Sequence, residues 1–351
     1  MSAPSGDGRG AGPQRAGSRG AGLWGDALAR SLATAVARRQ VVELGEAAGT
    51  TIHRLVHGAA DGCPGVIVDR LGHVANLRLR PELLQEGVPG PGWWLEQLAG
   101  AGVTHAWLTV DEPRKDLQPA WSHVEARWRE ELAQLGALAP PSWTATELGL
   151  RYELSSTDGF SYGIFTDMRP VRATLRARWR GRRVANLFAY TGAFGVVLAE
   201  HNEVHNVDVS RQYLDHGERN LALNGLEGRA RSVRADAFDF LEQAARRGLR
   251  WDGLVLDPPV FSHGKKGLSR RFTLTRDFDR LLDLAVSVLA PGGELMVSTN
   301  LAAMTQAEFD ARLSGVAPVH GATIEERFRP AVDYPVSAAE WHLKAALVRR
   351  R

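Results

Sequence analysis

The sequence predicts an α/β protein: a doubly wound, mostly parallel sheet in the second half, preceded by a small α+β domain. Three observations carry that reading. From residue 183 onward, short apolar runs alternate with helical stretches, the rhythm of a parallel sheet with helical crossovers. From 51 to about 135 the chain instead alternates short apolar runs with Asp-Gly and Pro-Gly turns, as strands and hairpins do. At 351 residues, 44% of them apolar, the chain is long enough to fill two cores.

Taken in order, residues 1–22 are Gly, Ser, Ala, Pro and Arg, a composition that buries too little surface to offset its ordering entropy and predicts a disordered tail. Residues 23–48 hold an amphipathic linker helix (23–45), and 49–140 form the small α+β domain. Its strands and hairpins are followed by a helix near 93–100, a strand near 104–110 and a helix near 123–136, and Pro140-Pro141 mark its exit. Residues 141–170 read as a hairpin and a connecting segment, and 171–351 as the α/β domain. There, after a helix at 171–179, strands are expected at 183–190, 204–209, 230–236, 251–257, 293–300 and 342–350. Helices are expected at 193–201, 210–223, 237–247 and 276–289.

Composition narrows the function. The single cysteine, Cys63, excludes an internal disulfide or a thiolate metal site, and no metal is expected. No apolar run approaches the roughly 20 residues that cross a bilayer, and no secretory signal opens the chain. A cytoplasmic enzyme is the expectation. The net charge is +3 and the isoelectric point about 9.2, a balance that fits a nucleic-acid partner without demanding one.

The residues that carry chemistry fall at strand ends, where ligands bind in such sheets. Gly192 follows the first strand, lets the backbone turn tightly and lets a ligand approach the next helix. Asp208 ends the second strand, where a carboxylate can accept both hydroxyls of a ribose; capping the next helix is an equally good reading. Asp236-Ala237 end the third strand, where a side chain can meet an adenine amino group; capping the next helix is again an equally good reading. The fourth strand ends in Asp257-Pro258-Pro259-Val260-Phe261. Neither proline has an N–H to donate, so the turn presents carbonyls and the Asp257 carboxylate. Phe261 can stack on a flat ring or belong to the core. Lys265, Lys266, Arg270 and Arg271 follow closely and suit phosphate contacts, with a solvated loop as the plainer account.

The stretches RLVHGAADGCPGVIVDRLG, GIFTDMR, NLFAYTGAFGV, NVDVSRQYLDHGERNLALNG, DAFDFL, LDPPVFS, LAPGGELMVSTN and DYPV resemble the bacterial large-subunit ribosomal RNA methyltransferases. That family includes the 5-methylcytosine enzyme and the 7-methylguanine half of a fused enzyme. The resemblance spans about 50–347. It implies a Rossmann-like class I methyltransferase domain with a seven-stranded sheet, S-adenosylmethionine as cofactor and ribosomal RNA as partner. It also implies that Tyr190, Thr191, Gly192 and Phe194 line the methionine end of the cofactor, that Asp208 holds the ribose, and that Asp236 and Ala237 face the adenine. Asp257 with Pro258 would meet the sulfonium side and the substrate. Phe165, Asp167 and Arg169 match a segment that folds over the cofactor, and the small domain matches one thought to help grip RNA.

Two departures shape the expectation. The family begins with an RNA-binding PUA domain, whereas only a tail and a helix precede the small domain here. RNA binding is then expected from the small domain, or the substrate is not a large RNA. The 5-methylcytosine enzyme carries a cysteine after the fifth strand, where this chain reads Ser298-Thr299-Asn300. Carbon 5 of a pyrimidine needs a thiolate added at carbon 6, and a serine hydroxyl does not replace it. Transfer to a nitrogen, with guanine favoured, needs mainly positioning and a flipped-out base. The expected function is therefore methylation of a base nitrogen in 23S ribosomal RNA. A small-molecule methyltransferase and a silent RNA-binding or ribosome-assembly protein stand as alternatives, and a homo-oligomer is left open.

Overall fold

A computed structural model describes residues 22–44, 49–85, 87–111, 118–157, 161–262, 264, 271–335 and 343–351. The expected tail, apart from Gly22, and Lys265, Lys266 and Arg270 lie outside the described residues.

Helix α1 (Gly22–Leu44) precedes strands β1 (Ile52–His57), β2 (Val66–Leu71) and β3 (Val74–Leu79), short helix α2 (Pro81–Gln85), α3 (Pro91–Leu98), β4 (His105–Val110) and α4 (Gln118–Gln134). The strands form one sheet in the order β1-β2-β3-β4, with only the β3–β4 pair parallel. Its alternating residues Val66, Val68, Ala75, Leu77, Ala106 and Leu108 face α1, α3 and α4 in a single core with Trp94 and Trp128. Helix α1 is therefore no free linker. Leu28, Leu32 and Ala35 enter this core, and Arg39 donates to the buried Asp61 at 2.6 Å.

The hairpin β5 (Ser142–Glu147) and β6 (Leu150–Ser155) leads to a 3₁₀ turn at Thr166–Met168 and to α5 (Arg169–Arg178). Next come β7 (Arg183–Leu187), α6 (Ala193–Ala199), β8 (Glu203–Asp208), α7 (Arg211–Ala222), β9 (Ala230–Arg234), α8 (Ala237–Arg246) and β10 (Trp251–Leu256). The chain continues through β11 (Phe261–Ser262), β12 (Phe272–Thr273), α9 (Leu274–Ser287), β13 (Leu289–Thr299), α10 (Gln306–Val316), β14 (Ala322–Arg327) and β15 (Lys344–Arg350). The large sheet has seven strands in the order β14-β15-β13-β10-β7-β8-β9. Strand β15 runs against both neighbours, and the rest are parallel.

Both faces of this sheet are covered, and the strand residues alternate between two cores. Val184, Val255, Met296 and Leu347 pack with α5, α6 and the hairpin. Leu187, Leu254, Leu256, Val297 and Val348 pack with α8, α9 and α10. Helix α10 and strand β14 fall in a stretch where the sequence predicts no element. Strand β14 is an edge strand with every second residue exposed, and α10 buries only Phe309 and Leu313, so neither has a strong apolar period.

The small sheet meets the large one through ion pairs. The guanidinium of Arg169 forks onto both oxygens of Asp333, which also accepts from the Arg54 backbone at 2.9 Å. Arg54 in turn forks onto Asp69 at 2.8 and 3.2 Å and lies 4.3 Å over the Tyr334 ring. The Tyr334 hydroxyl bonds Thr166.

Candidate functional site

Strands β7, β8, β9, β10 and β13 run parallel, so all five open at one edge of the sheet. The loop after β7 is held in unusual backbone. Phe188 and Tyr190 have φ of 57° and 49°, a strain of the kind that gathers at functional sites. Gly192, at φ 77°, caps α6, and a Cβ there would stand 3.2 Å from Gly217 Cα. At Gly195 a Cβ would meet the Asn206 amide at 2.3 Å, so only glycine lets α6 settle on β8.

Asp208 fixes this loop. Its carboxylate accepts from the Tyr190 backbone at 3.0 Å and from the Ser210 backbone at 2.8 Å. Capping of α7 falls to Ser210, which accepts from the Tyr213 backbone, so Asp208 is not the cap. Asp236 is a cap: it accepts from the Phe238 backbone at 2.9 Å at the start of α8, with Ala237 buried beside it. Capping and facing a ligand are compatible, because a carboxylate has further lone pairs.

At the end of β10, Asp257 accepts a hydrogen bond from the Ser298 hydroxyl at 2.6 Å. Loss of surrounding water pushes its carboxyl up to about 6, with the negative charge of Asp167 adding to the rise and the Ser298 bond opposing it. Pro258, next in the chain, is buried. Phe261 is 41% exposed, with the Arg271 guanidinium 5.5 Å from its ring centre. The core reading of Phe261 is thus set aside.

The GIFTDMR segment crosses this edge. Phe165 is partly exposed, its ring 5.6 Å from Tyr190, which stands edge-on 4.6 Å from Tyr213. The Thr191 hydroxyl donates to the Gly163 carbonyl, tying the segment to the β7 loop. Arg169 pairs its guanidinium with Asp333, since a buried cation needs a paired anion. Phe194 packs in the core, with Arg172 5.6 Å from its ring centre.

Several supporting residues escaped the sequence reading. Arg172 forks onto Glu147 at 2.6 and 2.7 Å and donates to the Phe165 carbonyl, holding the covering segment down. On α7, His216 bonds the Glu153 carbonyl and Asn220 bonds the Glu153 N–H and the Thr191 carbonyl, and in the turn after α7 Asn224 bonds Arg151 on both sides. The spacing of four between His216 and Asn220 on one helix was the available signal. Among the described residues, no group of three or more His, Cys, Asp and Glu could hold a metal ion, and no helix is long and apolar enough to cross a membrane.

The strained loop, the strand-end carboxylates and the aromatic cluster suit a nucleoside-bearing cofactor, and comparisons with known proteins agree. A family model of S-adenosylmethionine-dependent methyltransferases matches residues 104–349. The ribosomal RNA large subunit methyltransferase I of Klebsiella pneumoniae is 31% identical over 310 residues, 84% of this chain and 72% of that protein. The enzyme of the same name from Erwinia tasmaniensis is 32% identical over 297 residues, 81% and 70% of the two chains. Among solved structures, SMU.776 complexed with SAH shares the fold at 21% identity and a TM-score of 0.72, covering 92% of this chain and 80% of that one. A SAM-dependent methyltransferase from Agrobacterium tumefaciens shares it at 18% identity and a TM-score of 0.59, covering 86% and 91%. The strand order, the open parallel edge and the match over most of its length place the chain in the S-adenosylmethionine-dependent methyltransferase family.

Proposed function

We propose that this methyltransferase modifies a base nitrogen, with guanine favoured, in large-subunit (23S) ribosomal RNA. The observation that carries the choice of nitrogen is the end of β13 beside Asp257: Ser298, whose hydroxyl meets Asp257 at 2.6 Å, Thr299 and Asn300 stand there, where attack on pyrimidine carbon 6 would call for a thiol. The single cysteine is no substitute. Cys63 is buried in the core of the small sheet, and burial pushes its thiol up to about 11, far from the thiolate that such chemistry uses. The RNA substrate rests on the names of the relatives.

When bound, S-adenosylmethionine supplies a methyl group on a positive sulfur. The chain's residues bind, orient and shield. Tyr190, Thr191 and Gly192 form the bend against its methionine end, with Phe165 and Asp167 above. Asp208, held by two backbone amides, accepts the ribose hydroxyls, and Asp236 with Ala237 meets the adenine. Asp257 accepts a hydrogen bond, or a proton, from the base, whose ring stacks on Phe261. Arg271, beside Phe261, suits an RNA phosphate, with Lys265, Lys266 and Arg270 following the same reading outside the described residues. Ring nitrogen N7 presents a lone pair already, so positioning supplies most of the rate there. An exocyclic amine also loses a proton, which Asp257 takes.

The test is transfer from tritiated S-adenosylmethionine into ribosomal RNA of a deletion strain, followed by nucleoside mass spectrometry. One methylated guanosine absent from that strain and restored by the enzyme is the expected product. Appearance of 5-methylcytidine, or labelling confined to a metabolite extract, overturns the proposal.

A further inference from the structure

We infer that Ser298 is a positioning residue for methyl transfer: its hydroxyl, donated to Oδ1 of Asp257, fixes the carboxylate and leaves Oδ2 for the acceptor base. This deepens the proposed function and rests on its placing of the acceptor at Asp257.

The placement follows from the sheet. Strands β10 and β13 are parallel, with Leu256 opposite Val297. Asp257, the next residue, leaves the end of β10, while Ser298 is still paired in β13, so the two stand side by side. Ser298 has no exposed surface, and its neighbours along β13, Leu295, Met296 and Val297, are buried apolar side chains. A hydroxyl in that run costs stability unless it meets an acceptor. It meets one at 2.6 Å, the short distance of a charge-assisted bond.

The charged groups around Asp257 come from two further elements: Asp167 of the covering segment and Arg172 of α5. Asp167 is a like charge and works against ionisation. Arg172 favours it, but its fork is engaged by Glu147 and the Phe165 carbonyl. With the hydroxyl gone, dehydration and Asp167 would raise the carboxyl from about 6 into the range where the enzyme works. The proton-accepting form would become scarce, and the surviving carboxylate would be free to rotate.

Three variants separate the hydroxyl from the space it fills. Ser298→Ala removes the hydroxyl, Ser298→Thr keeps it, and Ser298→Val copies the shape of Thr without it. For each, the pH profile of turnover on ribosomal RNA is measured at saturating S-adenosylmethionine, with cofactor affinity read by calorimetry. Ala and Val should shift the acid limb upward by about one pH unit, the usual worth of a hydrogen bond to a charged group, which slows turnover about twofold at pH 7 and about tenfold well below pH 6. Thr should keep both near wild type, and cofactor affinity should hold in all three. An unmoved acid limb in Ala, or Thr behaving like Val, overturns the inference, and the Thr–Val contrast stands if Ala folds poorly. Asp257→Asn run in parallel separates the two levels. If it loses turnover while Ala does not, the role of Ser298 alone fails; if it turns over like wild type, the acceptor site itself fails.

Discussion

At the junction of the two sheets, Asp69 and Asp333 have no exposed surface, and arginine holds each of them. At the open strand edge, Asp257 is partly buried, meets a neutral hydroxyl and feels the like charge of Asp167. Burial pushes both Asp69 and Asp257 towards protonation. At Asp69, Arg54 and Arg78 overcome that push and hold the carboxyl below the usual range; at Asp257 it prevails. The first arrangement is a strut of paired charges, with Asp69 held in its ionised form by its arginines. The second is a group left close to its own titration, as proton-transfer chemistry requires. A buried carboxylate is thus sorted by the charge of its partners rather than by its depth.

The largest effect that could break this comparison is at Asp333. Asp333→Ala leaves Arg169 buried without its anion and should cost about 3–5 kcal/mol of stability in a denaturant titration. A loss below about 1 kcal/mol would mean that the junction is not held by this pair. Asp257→Asn should do the opposite: stability stays close to wild type, while turnover falls on the order of 10²-fold if the acceptor loses a proton, and less at N7. Wild-type activity should itself decline as pH falls through about 6, because protonation removes the accepting form. Asp208→Ala stands between the two. Its carboxylate is held by backbone amides of neutral charge, and its loss should weaken cofactor binding by about 1–3 kcal/mol. An unchanged calorimetric dissociation constant would remove Asp208 from the cofactor site.

Much of this was legible in the sequence. The alternation of apolar runs and amphipathic stretches announced the strands and helices from 183 to 299 because every central strand is buried on both faces and every helix on one. Asp208, Asp236 and Asp257 could be placed at strand ends for the same reason, since a polar residue closing a buried run marks the point where the chain leaves the sheet. Strand β14 and helix α10 escaped because an edge position needs little apolar surface.

The sequence by itself determined the architecture, the bend at Gly192 and the lack of a cysteine in Ser298-Thr299-Asn300, since these depend on residue type and local order. Only the tertiary structure decided which charges meet. Arg169 and Asp333 lie far apart in the chain, as do Arg172 and Glu147, and no local pattern says that Arg169 braces the junction while Arg172 holds the covering segment. The same is true of Ser298. Its hydroxyl gains its meaning from the pairing of β10 with β13, because a hydrogen bond depends on where two chains meet in space and not on their separation along one.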